Sequence, residues 1–212
     1  MIDAKLLLAD LKKLRKRTED DLRQHHRASP GRAAVEAEWR EAFEAKRTAD
    51  TFETFWSAAL DQAAVHWLLA LVFLRFLEDN SLLDRPLLSG PGERLELAEL
   101  RQREFFRARP HDSDAEYLLV TFGAAAKLSG LAGLYDPAHN PLFRLPVSGD
   151  GAMALLEFFR ARAPDTGNLV RAQHQPHDQP ERLSRPDAGH ASGQSAVTHS
   201  ETAARQLLSA LS

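Results

Sequence analysis

The chain has 212 residues, 43% of them apolar, which is enough material for one hydrophobic core of ordinary domain size. A formal net charge of -3 excludes a wholesale polyanion binder, which would carry a clear basic excess, but leaves room for a local basic patch. There is no cysteine, so disulfides, thiolate metal sites and a cysteine nucleophile are ruled out and a reducing compartment fits.

The opening Met1-Ile2-Asp3-Ala4-Lys5 carries acid and base where a signal peptide needs an apolar stretch of ~7–15 residues, so a cytoplasmic location is expected. Residues 3 to about 27 read as a first helix, because Leu7, Leu11, Leu14 and Leu22 form one stripe of a 3.6-residue period. Ser29-Pro30-Gly31 stops it, and His25-His26 at its fraying end is expected to be solvated. A second helix follows over about 32 to 47, with Val35, Trp39, Ala42 and Phe43 on one face.

A third helix runs from Phe52 to Leu77 without Pro or Gly, and its apolar residues keep the helical period from Phe52 through Trp56, Leu60, Ala63, Trp67, Ala70 and Leu74. Asp50 is expected to cap it, with Glu53 as capping-box partner, and Asn80 to end it in the left-handed region. Between Ala63 and Leu77 nearly every face is apolar, which marks a buried central helix. The longest unbroken apolar run, Trp67 to Leu74, falls far short of the roughly 20 residues needed to span a bilayer, so no membrane partner is expected.

Pro86, Gly90, Pro91 and Gly92 define a loop over 84 to 94, and a fourth helix follows over about 95 to 108, ended by Pro110. Asp112 or Ser113 starts a fifth through Tyr117, Leu118, Phe122 and Leu128, broken by Gly130 and Gly133. Residues 135 to 151 read as an irregular connection, and a last short helix covers Asp150 to Arg162 with Leu155, Leu156 and Phe159 inward. No strand alternation is evident, so the expected fold class is all-α: an irregular helical domain around a long buried central helix. Near Pro164 the composition changes. From Asp165 to Gln206 the large aliphatic residues are Leu169, Val170, Leu183 and Val197, with no aromatic, too little to offset an ordering entropy of ~1–2 kcal/mol per residue. The expected organisation is therefore a helical region over 1–163 and a disordered tail over 164–212.

Candidate chemistry is sparse. Asn140-Pro141-Leu142-Phe143 superficially resembles the Asn-Pro-Pro-aromatic motif of amino-group methyltransferases, in which the Asn holds the flipped base's amino group and the aromatic ring stacks on it. Leu142 replaces the second Pro, and Tyr135 to His139 before it form a turn rather than a buried strand, so a structural loop is the preferred reading. A methyl donor would need a glycine-rich turn after a strand. Gly130-Leu131-Ala132-Gly133 has no strand before it, and Gly149-Asp150-Gly151 reads as a helix-opening turn. His174, His177, His190 and His199 lack the spacing of a ligand set, and His66 reads as a hydrogen-bonded core histidine. The basic run Lys12, Lys13, Arg15, Lys16 and Arg17 can neutralise phosphates, which makes these five the candidate DNA-contact residues. Glu19, Asp20 and Asp21 follow at ion-pairing distance, so a solvated helix face is the competing reading, and contact with another part of a larger protein a third. No catalytic, cofactor-binding or metal residue is expected in this chain.

Three stretches carry a family likeness. Met1 to Leu7, continuing through Leu11-Lys12-Lys13-Leu14, resembles the start of PglX-type adenine-specific DNA methyltransferases of BREX phage-defence systems, especially the type-two form. Leu71-Val72-Phe73-Leu74-Arg75-Phe76-Leu77-Glu78-Asp79-Asn80 is similar to the helix that these and related restriction-modification methyltransferases carry before their catalytic domain. His139 to Pro146, then Leu155 to Arg160, resembles the same family's next segment, so the likeness covers about 1 to 168. It implies methyl transfer from S-adenosylmethionine to adenine N6 in DNA, host marking in a defence locus, and DNA and other BREX proteins as partners of the full-length enzyme. The motifs that hold the family's catalytic residues have no counterpart here. After Leu169 the chain departs from the family, and the Arg-, Ala-, His- and Pro-rich continuation is what a GC-rich gene read in a shifted frame yields. A truncated or frameshifted reading frame is therefore expected, with a catalytically silent fragment as its product. Helices left without their usual cover would make it poorly soluble or self-associating. The alternative is a standalone helical interaction module that docks partners on the Trp- and Phe-rich third helix.

Overall fold

The computed structural model describes residues 4–128 and 130–161. The expected tail over 164–212, with its four histidines, lies outside the described residues. Seven helices are described: α1 (Ala4–His25), α2 (Pro30–Glu44), α3 (Phe52–Asp79), α4 (Glu93–Ala108), α5 (Asp114–Ala125), α6 (Pro141–Arg144) and α7 (Gly149–Arg160). No strand is found among the described residues, so the fold is all-α as the periodicities predict.

The third helix organises the rest. α1, α2, α6 and α7 all pack on α3, and α5 packs on α7. Trp56, Leu60, Ala63, Trp67, Leu71 and Leu74 are buried along α3, each large side chain contributing roughly 1.5–3 kcal/mol relative to exposure. Trp56 and Trp67 are buried almost completely, so these two belong to the core and not to the docking face expected on α3, whose Phe52, Phe55, Phe73 and Phe76 are only partly buried. By length and composition α3 could also cross a membrane, yet half of its apolar window is covered within this fold.

Aromatic side chains fasten the later elements to α3 through their polar ends. The Trp67 indole donates to the Leu145 carbonyl at 3.1 Å, and the Tyr135 hydroxyl donates to the Ala70 carbonyl at 2.8 Å. Phe122 of α5 lies between those rings, 5.5 Å from Trp67 and stacked on Tyr135 at 5.3 Å. A buried ring that also satisfies its polar tip is stabilised twice, by area and by the hydrogen bond.

Several ends differ from expectation for identifiable reasons. Thr51, not Asp50, caps α3: its hydroxyl accepts from the Thr54 N–H at 3.3 Å, and Glu53 is drawn to Arg32 at 3.0 Å instead of closing a capping box. Asn80 is not left-handed. Ser81 takes φ 55°, and the bonds from Ser81 N–H to Glu78 and from Leu82 N–H to Leu77 complete a Schellman closure one residue later. α2 ends the same way on Lys46, also at φ 55°. Phe43, expected inward, is 49% exposed and leans on Trp39 at 5.4 Å, because α2 buries only Val35 fully. The fifth helix opens on Ser113 with the full capping box to Glu116, and α6 forms a single turn inside the stretch expected to be irregular.

Candidate nucleic-acid interface

On α1, Leu11, Leu14 and Leu22 face the core, which fixes where every other side chain of the helix must point. Lys12 and Lys16, and Lys13 and Arg17, are pairs four residues apart, and all four lie exposed on the outward face. Arg15 is different. It sits at the flank and reaches Asp61 of α3 at 3.6 Å, so the structure gathers four of the five predicted cations and diverts the fifth.

Acidic neighbours then discount that face. Lys13 lies 3.9 Å from Asp10, and Lys16 lies 3.3 Å from Glu19 and 3.2 Å from Asp20. Hydrogen bonds to Asp20 and Glu19 raise the Lys16 pKa above its ordinary value. Such exposed pairs are screened by solvent and hold these side chains only weakly. Asp21 is not a competitor, because its carboxylate turns inward to the start of α7: it accepts from the Ser148 N–H at 2.9 Å and from the Ser148 hydroxyl.

His26, expected to be solvated, is buried. Its Nδ1 lies 2.8 Å from the Ser29 hydroxyl and its Nε2 lies 2.7 Å from the Pro146 carbonyl, so Nε2–H donates and Nδ1 accepts in the neutral ring. Burial lowers its pKa below the ordinary 6.5, with the Pro146 bond acting in the opposite direction. Rather than fraying, the end of α1 is closed against the chain before α7. His66 is half-buried and likewise lowered by burial, partly offset by a hydrogen bond that its ring donates to the Asn140 side chain, which agrees with the core reading.

The polar residues of the methyltransferase-like stretches are engaged internally. Glu78 is fully buried, and its carboxylate accepts from the N–H groups of Leu87 at 2.5 Å, Leu88 at 2.7 Å and Ser89 at 2.7 Å. Arg75, one turn earlier, donates to Asp79 at 2.9 Å, to the Ser89 hydroxyl at 3.1 Å and to the Phe159 carbonyl. Burial pushes Glu78 and Asp79 up and Arg75 down, and the three N–H donors and the guanidinium act to keep Glu78 ionised. Asn140 accepts from the Leu142 N–H at 3.1 Å and donates to the Leu134 carbonyl at 2.7 Å, capping α6. Sequence reasoning passed over Arg75 and Glu78, although charges inside an otherwise apolar run are themselves a signal, because buried charge requires partners.

A methyl donor of the nucleotide type does not fit these residues. Gly130 and Gly133 follow helix α5, and added Cβ atoms would meet nothing within 4 Å, so neither glycine makes room for a close-lying ligand or backbone. Among the described residues, no three His, Asp or Glu side chains gather as a metal site requires. An open depression at the α2–α3 connection sets Lys46 and Arg47 beside Phe43, but Arg47 is held by Glu41 at 2.7 Å.

Comparison with known proteins gives one informative likeness. The chain is 41% identical over 175 residues to the adenine-specific methyltransferase PglX of Streptomyces coelicolor. That stretch is 80% of this chain and 14% of the length of that relative. No family model and no solved structure matches.

Proposed function

We propose that this chain is a helical scaffold portion, corresponding to the N-terminal region, of a PglX-type adenine-specific DNA methyltransferase. In this reading it works in the cytoplasm within a BREX phage-defence locus and is catalytically silent by itself. The 41% identity across most of the chain supports the kinship. The observation that carries the scaffold reading is the internal use of the motif residues: the Glu78 carboxylate and the Asn140 amide are both occupied by backbone groups. S-adenosylmethionine belongs, on this reading, to the remainder of such an enzyme, and so does the base-handling chemistry. The purified chain should therefore transfer no methyl group from labelled S-adenosylmethionine to adenine-containing duplex DNA. Measurable transfer would sink the scaffold reading.

The outward face of α1 is assigned the supporting role of contacting DNA phosphates through Lys12, Lys13, Lys16 and Arg17. Each phosphate neutralised steepens the fall of log affinity with log salt by ~0.9 for duplex DNA. Replacing all four with Ala should lower that slope by up to ~3–4 without changing the helical circular dichroism. Arg15→Ala should leave the slope unchanged. If the fourfold variant and the parent show the same salt dependence, the face is merely solvated.

A further inference from the structure

Two arginines meet at the end of α7 and the inner side of α4 with no carboxylate to pair them. Arg101 stands one turn beyond Ala98, the fully buried residue of α4, and so shares the side of that helix turned to the body. Arg160 closes α7: its Nε donates to the Leu88 carbonyl at 3.0 Å, and its Nη1 donates to the side chain of Gln102, next in sequence to Arg101. Both approach Tyr117 of α5, whose hydroxyl donates to the Leu87 carbonyl at 3.2 Å and lies 3.5 Å from the Ala98 carbonyl. Burial pushes the pKa of that hydroxyl up, and the positive charges of Arg160 and Arg101 act against it. Arg75, only 3% exposed, reaches the same stretch of chain from α3, donating to the Ser89 hydroxyl at 3.1 Å and to the Phe159 carbonyl.

The carboxylates of this region are committed elsewhere. Asp114 accepts from the Gln102 Nε2 at 2.5 Å, Glu78 from the N–H groups of Leu87 to Ser89, and Asp79 from Arg75 at 2.9 Å. Among the described residues neither Arg101 nor Arg160 has an ion-pair partner, and Arg101 Nη1 and Arg160 Nη2 are both buried without a hydrogen-bond acceptor. Like charges repel, and a buried N–H without an acceptor is costly, so this arrangement calls for an anion. A planar carboxylate offers two oxygens, which a single guanidinium fork takes. Two forks reaching in from different helices match instead a tetrahedral oxyanion, whose oxygens point in more than one plane.

We propose that Arg101 and Arg160 hold one small tetrahedral oxyanion, inorganic phosphate or sulfate, between the inner side of α4 and the end of α7. The two unanswered nitrogens are closed to solvent, so the anion is enclosed rather than bound on the surface. Entry is by way of α4, which buries only Ala98 fully and so moves away at little cost in apolar contact. Once bound, the anion ties α4 to α7. This inference is independent of any role in methylation or of DNA contact through α1.

Inorganic phosphate and sulfate are the probes, added to the full chain with ionic strength held constant by chloride. Either at ~1–10 mM should raise the melting temperature by ~2–4 °C and then saturate. Arg101 makes no hydrogen bond among the described residues, so Arg101→Met should fold and lose the rise. The variant with Ala at Lys12, Lys13, Lys16 and Arg17 should keep it. The opposite pattern would place the anion on α1 and overturn the site, and no rise in the parent would mean that water answers the two nitrogens. A short DNA duplex should give no rise that depends on Arg101; one that Arg101→Met abolishes would make the ligand a phosphodiester at an open surface and refute enclosure. A second measurement needs no variant. Phosphate should slow amide exchange in α4 and the last turn of α7 by ~10-fold while leaving α2 unchanged. Slowing spread evenly over all the helices is the general effect of an excluded salt and would count against the proposal.

Discussion

The C-terminal turn of α3 and the outward face of α1 use the same kinds of charged residue for opposite ends. In α3, Arg75 and Glu78 are inside the protein: Glu78 is held by backbone N–H groups of the loop that follows the helix, and Arg75 reaches the Phe159 carbonyl of α7. In α1, Lys12, Lys13, Lys16 and Arg17 are outside, with only near neighbours on their own helix for company. The difference teaches that environment, not residue type, decides whether a charge is structural. Water already solvates the α1 cations, so removing them changes little in the folded state. Removing one member of the α3 group strands its partners without water.

The largest expected effect breaks that contrast most directly. Glu78→Ala orphans two buried N–H donors and a half-buried third and leaves Arg75 with less compensation, so it should destabilise the fold by ~3–5 kcal/mol, read as a fall in denaturant midpoint. The fourfold α1 variant should shift the same midpoint by under ~1 kcal/mol. Comparable losses in the two would erase the distinction drawn between the regions.

A second effect of intermediate size probes two close approaches, α7 against α1 at Gly151 and the start of α2 against the end of α6 at Gly31. A Cβ at Gly151 would stand 2.5 Å from Asp21 Oδ2, and one at Gly31 would stand 2.9 Å from both the Arg144 carbonyl and Leu145 Cδ2. Gly151 collides with a side chain that is locked on Ser148, whereas Gly31 meets backbone. Either Ala substitution should cost ~1–3 kcal/mol, with Gly31→Ala the larger because backbone gives way less easily than a carboxylate. Absent losses in thermal melts would mean that these approaches are not held this closely, and equal losses would remove the ranking of backbone over carboxylate.

How much of this was legible follows from where the partners lie. The 3.6-residue period of α3, the Ser113–Glu116 capping box and the inward Leu155, Leu156 and Phe159 are local patterns, and the structure keeps them. Glu78 could be suspected as a buried charge, but its partners are N–H groups of Leu87 to Ser89, which every residue except proline possesses and which leave no mark in sequence. The Asp21–Ser148 and His26–Pro146 bonds join positions more than a hundred residues apart, so the acidic run after Arg17 looked like three competitors when one of them is committed elsewhere. Within the basic run, the spacing separates an outward set from a flank, yet only the tertiary position of Asp61 explains why Arg15 turns away. The Thr51 cap was missed for a similar reason: Arg32 on a different helix takes Glu53 out of the box that Asp50 would have needed.

A smaller, conditional effect concerns pH. His26 faces Asp21, His25, the Ser29 hydroxyl and the Pro146 carbonyl, and burial holds its pKa below 6.5. The unfolded chain therefore takes up the proton first as pH falls. Stability is untouched above the ordinary value of 6.5, declines as pH drops below it, and stops declining below the folded pKa. Raised Glu78 and Asp79 act in the reverse sense in acid, since there the folded state binds the extra proton. Comparing parent with His26→Gln isolates the histidine: the variant should lose part of the decline below pH 6.5, and superimposable slopes would remove His26 from the account.

The smallest effect returns to α3 and asks whether its final turn is held by its charges alone. Ser81 and Lys46 both stand at φ 55°, where a Cβ is disfavoured and glycine is the usual choice. Ser81 is exposed and lies three residues past Glu78, and its own N–H closes the helix onto the Glu78 carbonyl at 3.1 Å. Ser81→Gly should relieve a left-handed cost of ~1–2 kcal/mol, offset by the ~0.4–1 kcal/mol of entropy that glycine adds to the unfolded chain, for a small net gain. Lys46→Gly should gain a similar amount at the end of α2, a turn with no buried charge near it. If only the α2 change stabilises, the loop carrying Leu87 to Ser89 depends on the stiffness of Ser81 to present its N–H groups to Glu78. Equal gains would show instead that the carboxylate by itself is sufficient to organise that loop.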